Sequence, residues 1–239
     1  MGYTGVMFQD IHSSFRNQAG LAFLEGWSVM AQVEQRFITS DIRMGGIAAA
    51  VPTSVGTFGL NAQYYGVSLY NEQRFGLNYA MKLSEGFSIG AQFDIFGIQI
   101  PEYGQKWFPT FELGFQANLT SDLRIGVHLF NPLRVEVVQE EFLPTLIQAG
   151  LSYAPGDQAL LVLEIEKDID RPVRVKGAVE YFLLDRLPIR LGIATQPAAI
   201  TFGLGFYFSK NIGVQAASAW NNLLGFSPSF SADYTHHKP

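Results

Sequence analysis

Cysteine is absent from the 239 residues. Its absence excludes a disulfide framework, a thiolate metal site and a cysteine nucleophile. Charge is scarce: Asp, Glu, Lys and Arg make up 15% of the chain, against roughly 25% in soluble domains. The net charge of -5 leaves no basic footprint, so no nucleic-acid partner is expected. No run of about 18 apolar residues occurs, so no transmembrane helix is expected. The first residues also lack a charged n-region and an apolar h-region. The chain therefore reads as the mature form of an exported protein, its signal already removed.

Chemical motifs are missing as well. There is no Gly-x-Ser-x-Gly elbow and no Gly-rich phosphate loop. His12, His128, His236 and His237 are the histidines, and none has metal-ligand spacing to an acid cluster. Asp168-Ile169-Asp170 reads as a solvated loop, and Asn118-Leu119-Thr120 as a glycosylation sequon without consequence at a tight turn. No catalysis, no cofactor and no metal are expected.

What the chain has is apolar and aromatic: 48% hydrophobic residues, with 20 Phe and 10 Tyr. Their arrangement is clearest from Arg74 to Ile95. Phe75, Leu77, Tyr79, Met81 and Leu83 alternate with Arg74, Gly76, Asn78, Ala80 and Lys82. After Ser84-Glu85-Gly86, Phe87, Ile89, Ala91, Phe93 and Ile95 alternate with Ser88, Gly90, Gln92 and Asp94. A period of two puts successive side chains on opposite faces of a strand. This is a hairpin with one apolar face and one polar, small-residue face.

Two architectures suit such a hairpin. In a soluble sandwich the apolar faces bury each other. In a transmembrane barrel they meet lipid, and the polar faces line a lumen. The low charge favours lipid. The expected fold class is therefore all-β: a transmembrane antiparallel β-barrel of about 14 strands with a short N-terminal hatch segment. The expected strands are 27–37, 42–51, 57–69, 72–83, 87–99, 108–119, 123–131, 145–153, 159–167, 173–183, 189–195, 200–208, 212–220 and 228–236. Their lengths lie near the roughly 9–11 residues that span a bilayer when tilted.

The connections sort into two sets. Every second one is tight: 52–54, 84–86, 120–122, 154–157, 185–186 and 209–211 are rich in turn residues. These are assigned to the periplasmic side. The other set holds the longest loops, 101–107, 132–144 and 221–227.

The outward positions, such as Phe111, Leu113, Phe115, Leu161, Leu163, Ile165, Phe202 and Leu204, are nearly free of charge. An Arg or Lys facing mid-bilayer would cost roughly 2–4 kcal/mol. Trp27, Phe37, Tyr70, Phe87, Trp107, Tyr153, Tyr181, Trp220 and Tyr234 are expected to form interfacial girdles. Inward positions are glycines (76, 90, 114, 126, 177, 192, 203, 205 and 213) with scattered charges. Among those charges Glu164 and Glu166 fall opposite Arg174 and Lys176 and are expected to pair across the lumen wall.

Residues 1–26 lack the alternation. A short helix is expected around Ser13–Arg16, then a turn at Asn17–Leu21. The division is therefore an N-terminal hatch or plug, 1–26, and a transmembrane barrel, 27–239, with a tight lumen partly filled by the hatch.

The same segment carries a resemblance. Gly5-Val6, then Asp10, then Asn17-Gln18-Ala19-Gly20-Leu21-Ala22 resembles the opening of the FadL-like outer-membrane barrels, including the PorV and PorQ proteins of Bacteroidota. Those proteins carry a proline where Gln18 stands. The resemblance implies a 14-stranded barrel in the outer membrane of a Gram-negative bacterium, with Asp10, Asn17, Gln18, Ala19, Gly20 and Leu21 forming the hatch motif. In the classical transporters of that group the barrel binds long hydrophobic molecules and releases them sideways through a wall gap. In the PorV branch it docks beside a larger translocon. The short outer loops favour the docking role here: a non-enzymatic subunit of a type IX-like secretion or outer-membrane assembly complex. Outer-membrane lipid and a larger barrel or lipoprotein are the expected partners. The alternative is a FadL-like transporter of hydrophobic small molecules, with a lipid or detergent in the lumen.

Overall fold

The computed structural model describes residues 1–38, 42–138 and 140–237. Its strands are β1 (Ser28–Gln35), β2 (Arg43–Thr53), β3 (Gly56–Val67), β4 (Tyr70–Lys82), β5 (Phe87–Ile100), β6 (Gly104–Asn118), β7 (Leu123–Phe130) and β8 (Glu136–Val138). They continue with β9 (Glu141–Phe142), β10 (Leu146–Tyr153), β11 (Ala159–Asp168), β12 (Arg174–Leu184), β13 (Leu187–Ala194), β14 (Ala199–Tyr207), β15 (Ile212–Asn221) and β16 (Gly225–Thr235). All except β8 and β9 form one closed antiparallel barrel of 14 strands. Chain neighbours pair throughout, and β1 closes the ring on β16 with Ser28 opposite Thr235. Among the described residues every barrel strand pairs with both of its neighbours in the ring.

The choice between sandwich and barrel is decided by what is buried. Leu60 is 63% exposed, Ile193 64% and Leu163 47%, and they lie on the outer wall. The bulkiest fully buried side chains include Lys176, Gln18, Gln92, Glu112 and Glu164. A soluble protein would not expose so large an apolar surface. The molecule is inverted because its outer solvent is hydrocarbon and its polar groups satisfy one another inside.

Each of the fourteen expected spans overlaps one barrel strand. The departures lie at the ends. The 101–107 loop is shorter than expected, because β6 begins at Gly104 and pairs with β5 from Ile100. The 132–144 connection holds the small β8–β9 ladder, and Gln139 within it lies outside the described residues. Gly177 faces outward, not into the lumen. It alternates with the buried Lys176 and Ala178, and a Cβ there would meet Ile193 of the outer wall. Phe37 belongs to a short 3-10 turn packed against the end of β16, not to a girdle strand.

The chain termini of the barrel and the tight turns share one end, here the turn end. The longer connections, including 131–145, lie at the other, the loop end. Asn131 holds that longest connection down. Its Nδ2 donates to the Leu143 carbonyl at 2.9 Å, and its Oδ1 accepts from Thr110 Oγ1 at 2.9 Å.

Candidate functional site

The candidate site is the lumen, shaped by the first 24 residues. They form two short 3-10 helices, Ile11–Phe15 and Gln18–Phe23. The second replaces the turn expected at Asn17–Leu21. Each helix has a side-chain cap. Asp10 Oδ1 accepts from the His12 amide at 2.9 Å, and Asn17 Oδ1 from the Ala19 amide at 3.2 Å. Such caps satisfy amides that a helix start leaves open.

Asn17 also ties the segment to the wall. Its Nδ2 donates to the carbonyls of Val6 at 2.8 Å, Phe115 at 3.1 Å and Val127 at 3.3 Å. The wall makes room for this with glycine. A Cβ at Gly114 would collide with Asn17 Oδ1; within the segment itself, one at Gly20 would collide with the Phe8 carbonyl. Ala19 and Leu21 are fully buried. Gln116 Nε2, from β6, donates to the carbonyls of Val6 and Phe8 at 2.8 and 2.9 Å.

Gln18 enters a buried polar network. Its Nε2 donates to Glu112 Oε2 at 2.7 Å and to Gln92 Oε1 at 3.2 Å. Arg74 Nη1 lies 2.7 Å from Glu112 Oε1. His128 reaches Glu112 through Nε2 at 2.8 Å and Gln148 Oε1 through Nδ1 at 3.0 Å. Gln148 passes the chain to Glu166 at 2.6 Å. There the expected wall pairs appear: Lys176 Nζ lies 2.7 Å from Glu166 and 2.8 Å from Glu164, while Arg174 lies 3.7 Å from Glu166. Glu164 Oε2 accepts the Gly5 and Val6 amides at 2.9 and 3.1 Å, which returns the network to the N-terminal segment. Buried charges are tolerable only when partnered in this way. Of the ten residues singled out from sequence, Asn17, Gln18, Glu164, Glu166, Arg174 and Lys176 are thus drawn into one assembly. Asp10 stands apart, paired with His12 at 3.3 Å.

The far side of the lumen differs. β14, β15 and β16 present Gly203, Ala217, Ala219, Ser227, Ser229 and Ser231 inward. These small residues leave a cavity of about 340 Å³ between wall and segment. The segment lines it with Met7, Phe8, Phe15, Asp10, His12 and Arg16. Glu180 and Arg190 pair on the wall beside it, and Arg190 Nη1 donates to Gln215 at 2.8 Å. The alternation in β15 and β16 announces small inward residues. Nothing in sequence says which part of the lumen the segment leaves free. Among the described residues, no three potential ligands lie close enough to hold a metal.

No protein-family model and no curated protein matches the chain. Solved structures share the fold along its length. The toluene transporter TbuX of Ralstonia pickettii has a TM-score of 0.79 at 14% identity, with 99% of this chain and 97% of that chain covered. A monoaromatic hydrocarbon channel, CymD, has a TM-score of 0.75 at 13% identity, covering 100% and 96%. A FadL homologue of Pseudomonas aeruginosa has 0.68 at 13%, covering 99% and 96%. The fold is thus that of the FadL-type outer-membrane barrels. None of these three speaks for the PorV and PorQ branch.

Proposed function

We propose that the chain is a non-enzymatic channel of the Gram-negative outer membrane that admits small hydrophobic molecules, single-ring hydrocarbons among them. One observation carries the reading: the N-terminal segment packs solidly against one side of the lumen and leaves a cavity of about 340 Å³ against the other. That volume lies at the lower end of the range for small-molecule sites. Met7, Phe8, Phe15 and Leu160 give it apolar surface. The structural likeness to a toluene transporter and a hydrocarbon channel supports the same direction. The docking role expected above rested on reduced equipment for taking up a ligand, and the retained cavity removes that ground.

The test is uptake of radiolabelled toluene by Gram-negative cells, whose lipopolysaccharide leaflet slows bare permeation. Cells expressing the chain should take it up faster than vector controls. Filling the cavity with Ala217→Trp and Ser229→Trp should abolish the gain. Uptake equal to the vector control, with the barrel present in the outer membrane, would overturn the reading.

A further inference from the structure

Several polar side chains around the cavity are already engaged. Asp10 pairs with His12 at 3.3 Å, Glu34 with Arg36 at 3.3 Å, and Glu180 with Arg190. Gln215 accepts from Arg190 Nη1 at 2.8 Å and donates to Asp233 Oδ1 at 3.3 Å. Ser227 Oγ accepts the Phe37 amide at 3.1 Å. Gln32 and Ser231 differ. Both line the cavity, both are half-buried, and neither side chain makes a hydrogen bond to a described residue.

Their place in the wall joins them. Ser231 of β16 lies directly opposite Gln32 of β1, which puts their Cβ atoms about 5 Å apart. On its other side Gln32 faces Gly46 of β2. There the bare backbone receives the tip of the Phe15 ring: a Cβ at Gly46 would lie 3.1 Å from Phe15 Cζ. An aromatic ring and a free polar pair therefore share one row of the wall. Adjacent strands in such a row stand about 4.8 Å apart. Met7 and Phe8 add apolar surface to the same cavity.

We infer that the cavity favours a single aromatic ring bearing a hydroxyl over the bare hydrocarbon, with the ring against Phe15 and the hydroxyl between Gln32 and Ser231. The inference rests on the cavity being the ligand site proposed above. Its volume of about 340 Å³ exceeds the roughly 150 Å³ that holds benzene in an apolar core, so a substituent has room. The charged side chains of the lining balance: Asp10, Glu34 and Glu180 stand against Arg16, Arg124 and Arg190. His12 is faced by Asp233 as well as by Asp10. That balance favours neither an anion nor a cation. A phenol is neutral at pH 7, since such hydroxyls ionise near pH 10. Its hydroxyl both donates and accepts, as do the Gln32 amide and the Ser231 hydroxyl. A bare hydrocarbon would displace water from that pair and leave it without a partner.

The experiment is equilibrium dialysis of the purified full chain in lipid nanodiscs against radiolabelled toluene, p-cresol and p-toluate. The three differ in the one substituent para to the methyl group, and empty nanodiscs give the background. p-Cresol should bind about tenfold tighter than toluene, the worth of one hydrogen bond, and tighter than p-toluate. Gln32→Leu with Ser231→Ala should remove the preference for p-cresol, with the variant checked for heat-modifiable migration as a folded barrel. Equal binding of toluene and p-cresol, tighter binding of p-toluate, binding of none of the three, or a preference unchanged in the double variant would overturn the inference. Toluene uptake by cells is measured apart. Uptake without a p-cresol preference sinks this inference alone, and a p-cresol preference without uptake sinks the channel alone.

Discussion

Gln18 and Glu112 meet inside the lumen, amide to carboxylate at 2.7 Å, although they stand 94 positions apart in sequence. Asn17 is the cap, so position 18 is the first residue of its helix. That is where a proline fits best. The proline of the resembling barrels and the Gln18 of this chain therefore suit the same backbone, and only the glutamine adds a bond to the wall. Gln18→Ala and Gln18→Pro should each cost roughly 1.5–3 kcal/mol, the worth of a hydrogen bond to a charged group. Urea unfolding from lipid vesicles measures it. A variant as stable as the parent would show that the bond contributes nothing.

Much of the fold was legible because lipid enforces a period of two on every strand. Where lipid stops, the pattern stops. The start of β6, Gly104-Gln105-Lys106, carries no apolar face and reads as loop, although it pairs with β5. Both of its faces see water, so nothing constrains their polarity. The ion pairs of β11 and β12 were legible because a short connection fixes their register: Glu164 opposes Lys176 and Glu166 opposes Arg174. The contacts of Asn17 and Gln18 were not, since no local pattern says which strand a segment will meet. Gly177 was misplaced by composition: it follows the other glycines in type but not in phase.

The seat of the N-terminal segment depends on a bare backbone at Gly114. Gly114→Ala should dislodge Asn17 and cost about 1–3 kcal/mol by overpacking. The barrel should persist while residues 1–24 become open to protease. Gly177→Ala is the control, because its Cβ would stand 3.7 Å from Ile193, an ordinary contact. Equal protection in both variants would contradict the interlock.

Lys176 answers two carboxylates, the buried Glu164 and the half-buried Glu166. Lys176→Met should cost about 3–5 kcal/mol, because it strands charge in a dry interior. Adding Glu164→Gln and Glu166→Gln should recover most of that loss in the same unfolding measurement. If Lys176→Met alone were harmless, the carboxylates would have to be solvated.

The Asp10–His12 pair titrates outside the spanning strands. Desolvation works against the charge of the largely buried His12, yet the carboxylate of the more exposed Asp10 raises it above 6.5, and the imidazolium lowers Asp10 below 3.8. The His12 contribution is therefore complete below about pH 6.5 and fades as pH rises through its raised value. The Asp10 contribution is complete above about pH 4 and fades as pH falls through its lowered value. Imidazole NMR should place the His12 midpoint above 6.5 and bring it down in Asp10→Asn. A midpoint that ignores that change would contradict the pairing.

The chain has no cysteine, so each wall position can carry a single spin label. Labels at Leu161, Val162, Leu163, Glu164 and Ile165 in lipid vesicles would report which solvent each side chain meets. Collision with oxygen, which concentrates in hydrocarbon, should be high at Leu161, Leu163 and Ile165 and low at Val162 and Glu164. Collision with a water-soluble nickel chelate should stay low at the three odd positions. Oxygen access without that alternation, or nickel access at the odd positions, would contradict a wall turned outward to lipid.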